Sequence, residues 1–208
     1  MEDMKPEIKQ ELQTMAPDEP IIYEGNNIML DLRTMRMISA MAKKYASSDL
    51  VPVNYKGKEN DCFIACEMAC RMNVPPMMVM QSLYVVKGKP SWSGQACIAF
   101  VNNSGRFDKP LRLVETGKRA DDTWGYRAEA EKDGEVFKGT EVTIAMARAE
   151  GWIQNTKWKN MPELMLKYRC ASFFAREHCP EILMGCAVEG EAQDSESKAK
   201  TTVAVEVE

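Results

Sequence analysis

Across residues 27–45, NIMLDLRTMRMISAMAKKY, apolar side chains return every three or four positions: Met29, Leu32, Met35, Ile38, Met41 and Ala42. That period predicts an amphipathic helix. A second helix is expected over residues 60–72, with Asn60 or Asp61 as its cap. The NVPP that follows breaks it, because proline cannot continue a helix interior. In SLYVVKGKPSW a Leu-Tyr-Val-Val run enters a Lys-Gly-Lys-Pro turn, which reads as a strand and hairpin. Residues 92–101 return to helical spacing and stop at NNSG. KPLRLVETG, TWGYRAEAEKDG and EVFKGTEV are strand-like pieces separated by turns, and Lys132-Asp133-Gly134 suits a tight hairpin. TEVTIAMARAEGW reads as a helix closed by Gly151, IQNTKWKN as a basic loop, and Pro162 as the first residue of the last long helix. Runs of helices separated from a small antiparallel meander and hairpin define an α+β fold.

Composition sets the boundaries. A chain of 208 residues, 45% hydrophobic, supports one core with tails. The reading is an acidic mobile segment over residues 1–22, a single folded domain over 23–186, and an acidic disordered tail over 187–208, whose EGEAQDSESKAKTTVAVEVE is poor in large apolar residues. The net charge of −4 argues against a polyanion partner only until it is divided. Residues 1–20 and 187–208 each hold six acids and two lysines, so residues 21–186 hold 23 Lys and Arg against 19 Asp and Glu. A mildly basic body between acidic ends fits a nucleic-acid binder. Seven cysteines without an apolar leader are expected in a reducing cytoplasm with free thiols, and no apolar run is long enough for a membrane span.

The helix after Pro162 raises the central question. Met165, Arg169, Ser172 and Arg176 share one stripe at i, i+4, i+7 and i+11, beside a second stripe of Leu164, Tyr168, Ala171 and Ala175 that can face a core. The two arginines stand roughly 10 Å apart along the axis. Two readings are open. Each guanidinium pairs with an acid or snorkels from a half-buried helix, or the pair lines a groove and holds successive phosphates with its planar forks. Lys157 and Lys159 flank Trp158 just before the helix, and that aromatic is either a stacking platform for a base or a core anchor. Lys167, on the same helix, joins the arginines as a phosphate-holding candidate.

The block TKWKNMPELMLKYRCASFFAREHCPEILMG resembles the signature region of the RecT family of phage single-strand annealing proteins, distantly related to lambda Red beta. The resemblance extends upstream through DCFIACEMACRMNVPPMMVMQSLYVVKGKPSWSGQACIAFVNNSGRF and DDTWGYRAEAEKDGEVFKGTEVTIAMARAEGW, and covers about residues 27–186. It implies a cytoplasmic, phage- or prophage-encoded protein that binds single-stranded DNA and anneals complementary strands without ATP, with the annealed duplex as product. It further implies a homo-oligomer, ring or helical filament, acting with a companion exonuclease and the host single-strand-binding protein. No cofactor is required, with Mg²⁺ as a support for annealing. Carried over by the Trp…Pro…Arg pattern, the family's basic positions fall on Arg169 and Arg176. A third, directly after the proline, is Glu163 here, which departs from the pattern and suits the positive helix end instead. The resemblance also puts a DNA-proximal basic hairpin at Lys87 and Lys89, otherwise a solvated turn. Lys132 and Arg106 complete the basic candidates.

Catalytic chemistry is not expected. The sequence has no G-x-x-x-x-G-K-[ST] loop for a nucleotide. Cys62, Cys66 and Cys70 share a helix face but lack the partners of a zinc site, and read as core. Asp121 and Asp122 sit in a turn, where aspartate has backbone reasons to occur. His178, the one histidine, reads as a helix-end residue. The alternative to annealing is a passive coating protein that binds single strands without promoting pairing.

Overall fold

The computed structural model describes residues 32–188 apart from residue 87, so the expectations for residues 1–22, for Met29 and for Lys87 lie outside the described residues. The chain divides between Gln81 and Ser82 into two compact units. The single domain expected over residues 23–186 therefore spans that division.

In the first unit, α1 (Leu32–Ala46) packs on α2 (Glu59–Met72), and a 3-10 turn (Val53–Tyr55) joins them. Ile38, Ala42 and Ala46, spaced i, i+4 and i+8, form the buried stripe of α1, opposite the buried Cys62, Ala65, Cys66 and Ala69 of α2. Met41, expected in the apolar stripe, is exposed together with Met37. Helix α2 begins one residue before the expected cap. Neither Asn60 nor Asp61 caps it; Glu59 and Asp61 instead place carboxylates in its first turn, where the helix dipole favours them. It ends at Asn73, whose φ of 52° lets the Val74 amide donate back to the Ala69 carbonyl at 3.0 Å. A short helix, α3 (Pro76–Ser82), follows. The two prolines that break the preceding helix also start this one.

The second unit opens with the expected hairpin, β1 (Leu83–Val86) and β2 (Lys89–Trp92), paired from Leu83↔Trp92 to Val86↔Lys89. Trp92 belongs to this strand, not to the following helix. Its indole N–H donates to the Leu183 carbonyl at 3.0 Å, and Ser93 caps α4 (Gly94–Asn103) by accepting from the Ala96 amide at 3.1 Å. The second sheet comprises β3 (Arg112–Thr116), β4 (Gly125–Lys132), β5 (Glu135–Lys138) and the two-residue β6 (Val142–Thr143). The long β4 pairs antiparallel with β3 along one edge and with β5 and β6 along the other. Asp133 (φ 52°) and Gly134 (φ 81°) make the two-residue turn between β4 and β5, as the Lys-Asp-Gly sequence predicts.

Thr143 caps α5 (Ile144–Ala149), and Gly151 then takes a left-handed φ of 76°. The expected basic loop is helical: a 3-10 turn (Trp152–Gln154) and then α6 (Thr156–Asn160), capped by the Asn155 side chain, which accepts from the Lys157 amide at 3.0 Å. α7 (Pro162–His178) starts at the predicted proline and runs between the four-stranded sheet and α4. After a 3-10 turn (Pro180–Leu183), β7 (Ala187–Val188) adds to β2 in parallel, so two residues assigned to the tail belong to a sheet. Seven α-helices and two small sheets among the described residues make this an α+β protein.

Candidate nucleic-acid interface

Because α7 has a neighbour on two sides, most of its circumference is apolar and buried. Tyr126, Ala128 and Ala130 alternate along β4 toward it, with Ala128 and Ala130 small enough to let the helix approach. On the other side a Cβ on Gly94 would lie 2.5 Å from the Tyr168 ring, and the Cys97 thiol points at the Ala171 carbonyl, 3.6 Å away.

This packing separates the two arginines. Arg169 is 6% exposed, with its guanidinium carbon 4.1 Å from the Trp152 ring centroid. Met165 and Ser172, on the same stripe, are buried with it. The stripe expected at a groove is thus inside the unit over most of its length, while Leu164 of the supposed core stripe is exposed. Arg176, one turn beyond Ser172, is exposed near the helix end.

Trp158 is 3% exposed and lies 5.5 Å from the Trp152 ring, so of the two open readings the core anchor is the one observed. Its buried indole N–H has no hydrogen-bond partner among the described residues. Lys157 and Lys159, on either side of it in α6, point outward and are exposed. The alternation is that of a short helix with one face inward, which carries Trp158 into the unit and both ammonium groups out.

Lys167 is committed elsewhere. Its ammonium donates to Glu163 Oε1 at 2.7 Å and sits 5.0 Å from the Tyr126 ring. Glu163 also accepts from the Tyr126 hydroxyl at 2.9 Å and pairs with Arg119 at 3.1 Å. Arg119 lies over the Trp124 ring and bonds Glu115 at 2.5 Å, and the Trp124 N–H donates to the same carboxylate at 2.8 Å. Hydrogen bonds from Lys167 and then Tyr126 hold the Glu163 carboxyl down to about 2, and the Glu163 contact raises Lys167 in turn. The departure at Glu163 therefore has a local purpose: it anchors α7 to the sheet through a network of two acids, two cations and two aromatic rings. Sequence reading missed this network because Glu115, Arg119, Trp124 and Tyr126 are distant from Glu163 in the chain and carry no motif.

The other basic candidates are spread over the second unit. Lys89 opens β2 and is exposed, and Lys132 is exposed where β4 enters its hairpin. Arg106 donates to the His178 carbonyl at 2.6 Å and pairs with Glu181 at 2.9 Å, an arrangement that closes the C-terminal end of α7. Lys89, Lys132 and Lys159 form no ion pair or side-chain hydrogen bond with a described residue.

The remaining polar motifs have local roles. Asp121 Oδ1 accepts from the Thr123 amide at 2.9 Å, the turn expected for this residue type, and Asp122 pairs with Arg148 at 2.5 Å. His178 packs on Phe174 and Phe137, with Nε2 3.1 Å from the Lys138 carbonyl. Cys62 and Cys66 are core residues, and burial pushes the Cys66 thiol up to about 11; Cys70, on the same helix, is exposed. Among the described residues no group of three or more His, Cys, Asp or Glu could hold a metal ion. No described helix is long and apolar enough to cross a membrane.

Comparison of the chain with protein-family models, with curated proteins and with solved structures gives no match.

Proposed function

We propose that this protein binds single-stranded DNA and anneals complementary strands without ATP, in homologous recombination of the kind the RecT resemblance implies, inside a bacterial cell that carries the phage or prophage encoding it. One observation carries the reading beyond resemblance: of the basic positions assigned to the strand, Lys89, Lys132 and Lys159 are exposed with no carboxylate partner among the described residues. Lys157, two positions before Lys159, and Arg176, near the end of α7, are exposed as well. Residues 82–188 hold 16 Lys and Arg against 13 Asp and Glu, so most of the basic surplus of residues 21–186 lies in this stretch.

Contacts of this kind read phosphate and not base, which makes binding independent of sequence and weaker in salt. A strand held by its backbone leaves its base edges open. Subunits side by side would align a long strand, and pairing with a second strand then releases about 1.4 kcal/mol per base step through stacking. The duplex supplies the driving force, so no hydrolysis is needed.

The test mixes labelled complementary oligonucleotides with the protein, without ATP, and follows duplex formation. Faster pairing with increasing protein is the expected result. Binding that slows pairing would assign the protein to passive coating, and no single-strand binding at low salt would overturn the proposal altogether.

A further inference from the structure

The four-stranded sheet has one side filled by α7 and a second side that faces away from it. Alternation along β4 puts Arg127, Glu129 and Glu131 on this outer side, and register adds Arg112 and Val114 from β3 with Val136 and Lys138 from β5. Three of these, Arg112, Lys138 and Val136, are exposed, Val136 by 48%. The centre of the face is Glu129, which is only 9% exposed. Its Oε1 accepts from Arg127 at 2.9 and 3.2 Å. Its cross-strand neighbours are Arg112 on β3 and Lys138 on β5. Neither of these makes an ion pair or side-chain hydrogen bond with a described residue. One position along, Lys109 holds both oxygens of Glu131, at 2.8 and 2.9 Å.

Four cations thus surround two carboxylates, and two of the cations pair with no described residue. We infer that this outer face is a second contact surface for nucleic acid, taking the phosphodiester backbone of a strand across β3, β4 and β5. Arg112 and Lys138 sit two strand spacings apart, about 10 Å. Glu129 between them holds Arg127 and lowers the repulsion among the three cationic groups, so a row that would otherwise splay stays together until a phosphate arrives. The face carries valine and no aromatic ring, so it offers no platform for stacking bases and contacts backbone alone. Arg176 belongs to α7, on the other side of the sheet. A phosphate on Arg112 is therefore a different phosphate from one on Arg176, which suits a protein that must hold two strands.

The inference rests on the single-strand-binding reading, and the experiment separates the two. In the full-length protein, R112A/K138A is compared with wild type for affinity toward an unlabelled-sequence 40-mer at several salt concentrations, with thermal melting to establish folding. R112Q/K138Q, which keeps side-chain bulk, serves as the second variant. Expected are a loss of affinity of several-fold or more and a salt slope shallower by about 1.4, the release from two single-strand phosphates. Wild-type affinity and slope in a folded variant, while wild type itself binds, would overturn the second surface and leave the annealing proposal standing. No binding by wild type would remove both. If DNA binding is unchanged but a peptide of residues 189–208, with six acids and two lysines, binds wild type and not the variant, the face belongs to an acidic segment and the inference is wrong.

Discussion

Two arginines seven positions apart on one helix have opposite roles. Arg169 fills space over Trp152 inside the unit, whereas Arg176 is exposed. Replacing Arg169 by Ala removes a desolvated cation–π contact and should lower stability by about 2 kcal/mol, read as a shifted urea midpoint. Replacing Arg176 by Ala should leave stability within about 0.5 kcal/mol of wild type. Its effect belongs in DNA binding, as a salt slope shallower by about 0.7. A large stability loss in R176A, or none in R169A, would contradict this division. Glu163 supplies a second residue-level expectation. Its folded-state carboxyl titrates near 2, below its ordinary 4.5, so its stabilisation is complete above 4.5 and disappears as pH falls toward 2. The melting temperature of E163Q should therefore lie below wild type at pH 7, with the gap closing between about pH 4.5 and 2; a constant gap across that window would exclude this ion-pair network as its source. None of this was visible in the spacing of residues 165–176, because a stripe gives direction around a helix and not what lies opposite. The partner of Arg169 is a tryptophan seventeen positions earlier, brought there by the turn at Gly151.

At the scale of elements, the central position of α7 decides more than its composition does. A helix with one neighbour shows one apolar stripe; α7 has the sheet on one side and α4 on the other, and buries most of its circumference. The approach of α4 depends on the absence of a side chain at Gly94. G94A would put a methyl 2.5 Å from the near end of the Tyr168 ring, which cannot swing clear as a ring tip could. We expect a loss of about 1–3 kcal/mol by overpacking, recovered in part by Tyr168→Ala in the same chain. A melting temperature equal to wild type would show that the helices part easily. Strands and turns were the more legible elements, since Lys132-Asp133-Gly134 carries its own backbone chemistry. Two short helices were not, although the six-residue α5 was read from its sequence and the Gly151 that closes it. α3 and α6 have seven and five residues, too few to display a period, and caps such as Asn155 are informative only once the flanking chain is known.

For the molecule as a whole, the α+β class and the order of elements were legible, and the site was legible only in part. Charge totals by segment located a basic surplus in the body of the chain but could not separate cations that neutralise carboxylates from those that do not. Lys109, Arg119, Arg127, Arg148 and Lys167 are spent on internal pairs, while Arg112, Lys132, Lys138 and Lys159 are not. That distinction needs strand register, and register is a property of the folded sheet.

The parallel pairing of β7 with β2 has a consequence for how the chain comes off the ribosome. Ser91 and Trp92 find their second neighbours only in Ala187 and Val188, nearly a hundred residues later. Until that later segment emerges, the hairpin has an unfilled edge, while the two helices of the first unit already have each other. Synthesis from the amino end should therefore leave the helical pair assembled first and the hairpin waiting, its backbone amides open to any passing strand, until residues 187 and 188 have left the ribosome to cover them.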